Sequence, residues 1–198
     1  PHAFEKCKQL IKILFEEDSQ LSIIGKHAFS RSGLISIKIP KSVIEIKSNA
    51  FDFCYGLRKV FFEKGSKLIS IKNNAFLFDT GLKLIEIPED SSLQSIGRNA
   101  FDESAITSLF IPATVEDLDD SIFLLTNKLV NIIISPSNKN FKYMDNNDKI
   151  IVGKSDPKED VFDTIIFANR NINQVTIPNY IKYINNGSFK NCQQLKTI

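Results

Sequence analysis

The stretch 96–104, IGRNAFDES, contains an Ala-Phe pair that also occurs at four earlier places in the chain. The phenylalanines of these pairs are Phe4, Phe29, Phe51, Phe76 and Phe101, and successive ones are 25, 22, 25 and 25 residues apart. Self-similarity at a period of about 20 to 30 residues is typical of a solenoid, whose repeats bury their apolar faces only against one another. The spacing therefore predicts stacked coils built on a column of phenylalanines.

The column continues beyond Phe101. Phe123 follows it by 22 residues, and Phe189 lies 66 residues, or three such steps, after Phe123. Phe167 falls on the last of those steps. We therefore expect the repeat to resume near the end of the chain.

Each column phenylalanine is followed by the pattern L-x-x-I-x-I or a close variant, such as Leu82, Ile85 and Ile87 after Phe76. The final I-x-I has the alternation of a β-strand with one face in the core. Proline can end such a strand because it has no backbone donor, and it follows the pattern at Pro40, Pro88, Pro112 and Pro178. A second apolar pair then returns to the core, and we place it at Val43/Ile46, Leu68/Ile71, Leu93/Ile96 and Ile181/Ile184.

The stretch 34–60, LISIKIPKSVIEIKSNAFDFCYGLRKV, resembles the BspA-like class of leucine-rich repeats, whose unit reads roughly L-x-x-I-x-I-P-x-S-V-x-x-I-x-x-x-A-F-x-x-C. The resemblance extends over 1–134 and 164–198. It implies a β-rich, right-handed superhelix with a parallel sheet on its concave side and short strands or helical turns on its convex side. Proteins of this class are typically surface or secreted adhesins of bacteria and parasitic protists.

The domain organisation predicted for 1–198 is a single leucine-rich-repeat solenoid of about eight to nine coils, beginning and ending in mid-repeat. The plain pattern lapses over 135–171, where we expect an irregular, hairpin-like coil. Its strands are predicted near 149–152 and 164–168, with a polar loop around 154–160 between them.

The three cysteines, Cys7, Cys54 and Cys192, each lie three residues after a column phenylalanine, so they occupy a repeat position. Cys7 and Cys54 are two coils apart, about 10 Å at a strand spacing of roughly 4.8 Å, which is beyond the reach of a disulfide. We expect all three to be buried free thiols.

Composition and motifs indicate neither a nucleic-acid ligand nor a metal or catalytic site. The net charge is only +2 and the basic residues are scattered, which argues against nucleic-acid binding. Apolar runs are too short to span a bilayer within this stretch. His2 and His27 have no partners at metal-ligand spacing, and the acidic cluster Glu116, Asp117, Asp119 and Asp120 is interpreted as a solvated patch. We therefore predict no metal, no cofactor and no enzymatic activity in this chain.

Three functional hypotheses compete for the repetitive surface. The resemblance favours a cell-surface or secreted adhesion module that binds host or matrix proteins along its concave sheet. An intracellular, cytoplasmic scaffold for a regulatory protein is the alternative, and an enzyme would need a catalytic domain outside this stretch. The sequon at Asn186 is weak support for secretion, because Ser188 occupies the alanine column and is expected to be buried.

The candidate binding site is the outward position between the last two core residues of each L-x-x-I-x-I strand. Its members are Leu14, Lys38, Phe61, Glu86, Phe110, Ile133 and Thr176. Exposed aromatics rimmed by charges are typical of protein-binding anchors. The alternative interpretation is that these are scattered surface hydrophobes, or that further coils or another copy of the chain covers them.

Overall fold

The computed structural model describes residues 1–119 and 121–198 of the chain. The described residues form a β-solenoid of about seven turns with parallel sheets and no helix. In chain order its strands are β1 (Ile23–Ile24), β2 (Ser36–Ile39), β3 (Glu45–Ile46), β4 (Lys59–Phe62), β5 (Ser70–Ile71), β6 (Leu84–Glu86), β7 (Ser95–Ile96), β8 (Ser108–Ile111), β9 (Asp117–Leu118), β10 (Asn131–Ile134), β11 (Phe141–Met144), β12 (Asn147–Gly153), β13 (Thr164–Ala168) and β14 (Tyr183–Ile184).

Two sets of parallel strands run along the solenoid. The short strands form one sheet in the order β1-β3-β5-β7-β9, with partners such as Ile46 and Ile71 in register. The longer strands form β2-β4-β6 and β8-β10, and they coincide with the predicted L-x-x-I-x-I segments. The prediction of a repeat solenoid with parallel sheets is therefore confirmed, with short strands rather than helical turns along the second side of the described chain.

In each of the first five coils, two left-handed residues flank the recurring Ala-Phe pair. Around Phe76, for example, Asn74 and Phe78 both have a φ of 59°. Between these bends the backbone of Phe76 donates to Ala100 of the next coil at 2.9 Å. The preceding alanine, Ala75, is fully buried beside the ring. The dipeptide is therefore a turn that stacks on its own copies.

The phenylalanine column forms a continuous stack through the first five coils. Its ring centroids are 5.1, 5.1, 5.0 and 5.7 Å apart, in the order Phe4, Phe29, Phe51, Phe76 and Phe101. The last three of these rings are fully buried. Farther along, Phe123 packs against Phe167 at 4.8 Å, so the column crosses the irregular segment as the sequence predicted.

The irregular segment is an antiparallel arrangement inserted between parallel coils. Strands β11, β12 and β13 pair antiparallel, and β13 then pairs parallel with β14. The two predicted strands are confirmed as β12 and β13, whereas β11 was not predicted. The Tyr143 hydroxyl donates to the Ile132 carbonyl at 2.8 Å, which ties β11 to the preceding coil. The predicted number of eight to nine coils includes this irregular segment as one coil, and it stays a prediction.

Burial at the two outer coils differs from the prediction. Ile184, assigned to the core, is 55 % exposed, and Cys7 is exposed rather than buried. Both lie in outer coils, where no further coil of the described chain packs on the outer side. Interior positions of the same repeat columns, such as Ile96 and Cys54, are fully buried. Column identity therefore predicts burial reliably where a coil lies on each side and only in part in the outer coils, where Cys192 is buried as predicted.

We expect thiol reagents to modify Cys7 rapidly and Cys54 only on unfolding. Burial raises the pKa of Cys54 to about 12, and its Sγ donates to the Phe29 carbonyl at 2.9 Å. Few thiolates form at such a site, and the reagent cannot reach them. Mass spectrometry after iodoacetamide treatment should show one fast site in native protein and none in native Cys7→Ser. Equal labelling rates for Cys7 and Cys54 would contradict the assigned packing.

Candidate functional site

The structure brings five of the predicted site residues together in two blocks. Lys38, Phe61 and Glu86 are direct cross-strand partners on β2, β4 and β6. Phe110 and Ile133 are partners on β8 and β10. Because partners in a parallel sheet point to the same face, each block presents its side chains side by side. We call the outward surface of these longer strands the long-strand face.

Leu14 and Thr176 lie outside these two blocks. Neither residue belongs to one of the strands of the described chain, although both are exposed. The Leu14 side chain is 77 % exposed, more than any other large apolar side chain of the described residues. It lies in the first coil, whose predicted strand does not form. The predicted line of side chains is therefore well ordered only from Lys38 to Ile133.

The aromatic members of the face are half-buried. Along β4, for example, the side chains of Val60 and Phe62 are buried, while that of Phe61 between them is half-buried. The Phe110 side chain is likewise half-buried and packs in part against the main core, whereas Ile133 is 45 % exposed. The rings therefore lie partly down on the sheet and remain available on one side.

A break in the sheet produces a cleft in the middle of this face. β6 pairs only with β4, and β8 pairs only with β10, so no ladder joins β6 to β8. A cleft of about 860 Å³ opens there, and its apolar lining includes Ile85, Ile87 and Phe110. The charged residues that line it are Lys64, Glu86, Glu89 and Asp90. Glu86 and Phe110, which share no ladder, therefore meet at one cleft.

Charges beside Phe61 are paired with one another. Lys38 Nζ lies 2.9 Å from Glu63 Oε1, and Glu63 Oε2 accepts the backbone N–H of Lys41 at 3.0 Å. These hydrogen bonds, led by the one from Lys38, lower the pKa of Glu63. Phe61 and these charged residues line a second depression of about 610 Å³. An aromatic ring bordered by fixed charges suits recognition of a mixed apolar and polar surface.

Sequence reasoning missed much of the cleft lining. Ile85 and Ile87 were predicted to lie in the core, and no binding role was predicted for Glu89 and Asp90, yet all four line the same cleft. The strand motif is the same at β6 and at β8, so the motif alone could not indicate a break. The acidic pair directly after Pro88 was the one usable signal, since it adds charge at the end of a strand.

The two histidines and the acidic cluster do not form a metal site among the described residues. His2 and His27 stack at 5.0 Å between ring centroids, and both have the left-handed conformation of the repeat turn. In the described chain no group of three or more His, Cys, Asp or Glu side chains is placed to hold a metal ion. Glu116 and Asp117 are exposed, as predicted, whereas Asp120 lies outside the described residues. Over the same residues no helix has the length and apolarity to cross a bilayer.

Solved structures share this fold. The pneumococcal vaccine antigen PcpA is 22 % identical over 85 % of this chain and 48 % of its own, with a TM-score of 0.65. A leucine-rich repeat protein of Bacteroides ovatus is 22 % identical over 89 % of this chain and 40 % of its own, with a TM-score of 0.59. A leucine-rich repeat protein of T. pallidum is 27 % identical over 57 % of this chain and 51 % of its own, with a TM-score of 0.51. This chain thus spans about half of their length or less.

The sequence comparison with family models agrees with these structures. The BspA type leucine rich repeat region matches in six copies, over residues 1–89, 65–147 and 161–198. A comparison with curated proteins gave no significant match. The family match includes nearly all of the chain, and it covers the phenylalanine column and both sets of parallel strands. The chain belongs to the BspA-type leucine-rich repeat family.

Proposed function

We propose that the chain is a non-catalytic protein-binding module that engages a protein ligand through the long-strand face. The observation that carries this proposal is the in-register placement of Lys38, Phe61 and Glu86, continued by Phe110 and Ile133. Half-buried aromatics among charges are favourable anchors, because the sheet holds their rings in place before binding and little ordering entropy is lost.

The setting we propose is a cell-surface or secreted protein that binds host or matrix proteins. Two observations support it: the family suggests a protein-interaction or adhesion module, and PcpA of the pneumococcus is a vaccine antigen. The face itself offers rings, aliphatic groups and paired charges, which suit contact with a folded protein surface.

Replacement of both Phe61 and Phe110 by alanine is expected to weaken ligand binding at least about tenfold, or about 1.4 kcal/mol. Two anchor rings are lost, while the fully buried residues beneath them remain, so we expect the melting temperature to change little. The measurement is attachment of the fluorescently labelled chain to cultured epithelial cells and to a coating of extracellular-matrix proteins. Thermal unfolding of the same samples reports stability.

The matched control is the double variant Ile44→Ala with Ile69→Ala, since these side chains are 39 % and 44 % exposed on the short-strand side. The control should bind like wild type. If the Phe61/Phe110 variant also binds like wild type, or simply unfolds, the long-strand face is not the binding surface. Attachment only to proteins of a cytosolic extract would favour the intracellular scaffold instead.

A further inference from the structure

A second set of side chains, some exposed and some half-buried, lies at the turns rather than on the sheets. It consists of the residues two positions after the first five column phenylalanines, namely Lys6, Arg31, Phe53, Phe78 and Glu103. Each has a left-handed backbone, with φ values from 56° to 60°. Equivalent backbone hydrogen bonds join them to the next coil: the Phe53 N–H donates to the Leu77 carbonyl at 2.8 Å, and the Phe78 N–H donates to the Asp102 carbonyl at 2.9 Å. We call this row the turn stripe.

The side chains of the turn stripe contact one another along the solenoid. The Arg31 guanidinium lies 5.1 Å from the centroid of the Phe53 ring. The Phe53 and Phe78 rings stack at 5.0 Å, and Tyr55 meets Phe53 edge-on at 6.2 Å. Tyr55 is 58 % exposed and Phe78 is 37 % exposed. The middle of the stripe is thus an aromatic patch open to solvent.

Backbone preference does not explain these phenylalanines. A left-handed conformation costs a residue with a bulky side chain roughly 1 to 2 kcal/mol, and asparagine tolerates it better. Asparagine indeed occupies the equivalent place at Asn191 and the companion turn position at Asn74. Phe53 and Phe78 therefore combine an unfavourable backbone with incomplete burial. A protein surface that covers the rings removes the exposure and thereby offsets the backbone cost.

The charges of the stripe indicate what that surface is. Two cations, Lys6 and Arg31, lie on one side of the ring pair, and the carboxylate of Glu103 lies on the other. A two-fold axis midway between Phe53 and Phe78 reverses this order in a second copy. Each Phe53 then faces the second copy's Phe78, and each Arg31 faces its Glu103. The row is thus complementary to itself.

We propose that two copies of the chain associate through antiparallel turn stripes into a two-fold dimer. Such an interface is isologous, so it closes at two subunits and does not propagate into a filament. Its aromatic centre is small compared with the roughly 1,200 to 2,000 Å² of a stable interface, so the dimer is weak and depends on concentration. It uses a surface separate from the long-strand face and stands independently of the function proposed above.

Sedimentation equilibrium of the chain over a wide concentration range, with charge-reversal variants, tests the pairing. Arg31→Glu and Glu103→Arg are each expected to weaken dimerisation at least about tenfold, because each places like charges opposite one another. The double variant carrying both changes should recover most of the affinity. It restores the opposite charges across the interface but not the contact of Arg31 with Phe53, so recovery reports the intermolecular pair. Lys67→Glu, an exposed charge change off the stripe, should have no effect.

Phe78→Asn tests the aromatic centre without disturbing the turn. Asparagine is suited to the left-handed backbone, so the variant is expected to stay folded by thermal unfolding while dimerisation weakens at least about tenfold. Wild-type chain that stays monomeric at all concentrations would overturn the proposal. A dimer that Arg31→Glu and Phe78→Asn leave unchanged would overturn it as well, since another surface would then hold the copies together.

Discussion

Truncation of Phe76 to alanine is expected to lower the free energy of unfolding by about 3 to 5 kcal/mol, the usual loss for a buried large aromatic. The ring is fully buried and stacks on Phe51 at 5.0 Å and on Phe101 at 5.7 Å. Its removal leaves a cavity between three coils and interrupts the column in the middle of the array. Because coil-to-coil contacts dominate a solenoid, cooperativity should fall as well. Urea unfolding followed by circular dichroism measures both effects.

Two other phenylalanines provide the controls for this experiment. Phe4 occupies the same column but is 37 % exposed and has a single stacking neighbour, Phe29. Phe78 lies only two residues from Phe76, on the surface of the same turn, and it is as exposed as Phe4. Alanine at either position should cost clearly less than alanine at Phe76. Equal and small losses for all three variants would show that the column is not the core of the solenoid.

The sequence predicts this core well because every coil repeats the same contacts. Once Leu82, Ile85 and Ile87 are aligned with their counterparts in other repeats, their inward direction follows from strand alternation, and all three are buried. The same alignment predicts Phe167 in the column, and its ring indeed packs against Phe123. Periodicity averages over local irregularities, and this makes the prediction reliable for interior coils.

Features that depend on one particular neighbour could not be predicted in this way. Ile184 and Cys7 match their columns but are exposed, because each lies in an outer coil with a neighbouring coil on one side only. The cleft depends on a missing ladder between β6 and β8, although both strands carry the same motif. For the turn stripe, the position of Phe53 and Phe78 was visible in the sequence, whereas their left-handed backbone was not. The candidate site was therefore predicted as a row of residues but not as a shaped surface.

One column position holds a buried carboxylate. Asp79 takes the place that Cys54, Ser104 and Thr126 occupy in other coils, and it is fully buried. Its Oδ1 accepts the backbone N–H of Cys54 at 2.7 Å, which gives this turn donor of the neighbouring coil a hydrogen-bond partner. Its Oδ2 is buried and has no hydrogen-bond partner. The position thus needs the acceptor but does not need the charge.

Burial, and secondarily the charge of Asp52, raises the pKa of Asp79 well above its usual value of 3.8. The native state therefore holds this proton more tightly than the unfolded state does. The resulting stabilisation is fully present below pH 3.8, and it is lost as the pH rises from there through the higher native pKa. The sign is opposite for Glu45, Glu63 and Asp163, whose lowered pKa values favour the native state above the acid range. The overall pH profile mixes both contributions.

Asp79→Asn isolates the buried carboxyl, because it keeps an oxygen for the Cys54 N–H and removes the titration. At pH 3 the variant and the wild type should have similar stability, since both side chains are neutral. At pH 8 the variant should be more stable by at least about 1 kcal/mol, because the folded wild type must either keep a proton that its unfolded state has lost or bury a charge. Urea unfolding at several pH values gives the difference between the two proteins, in which the contributions of the other carboxylates cancel. Asp148→Asn, at an exposed position, should show no such trend, and a difference for Asp79→Asn that stays constant with pH would show that Asp79 does not hold its proton in the folded state.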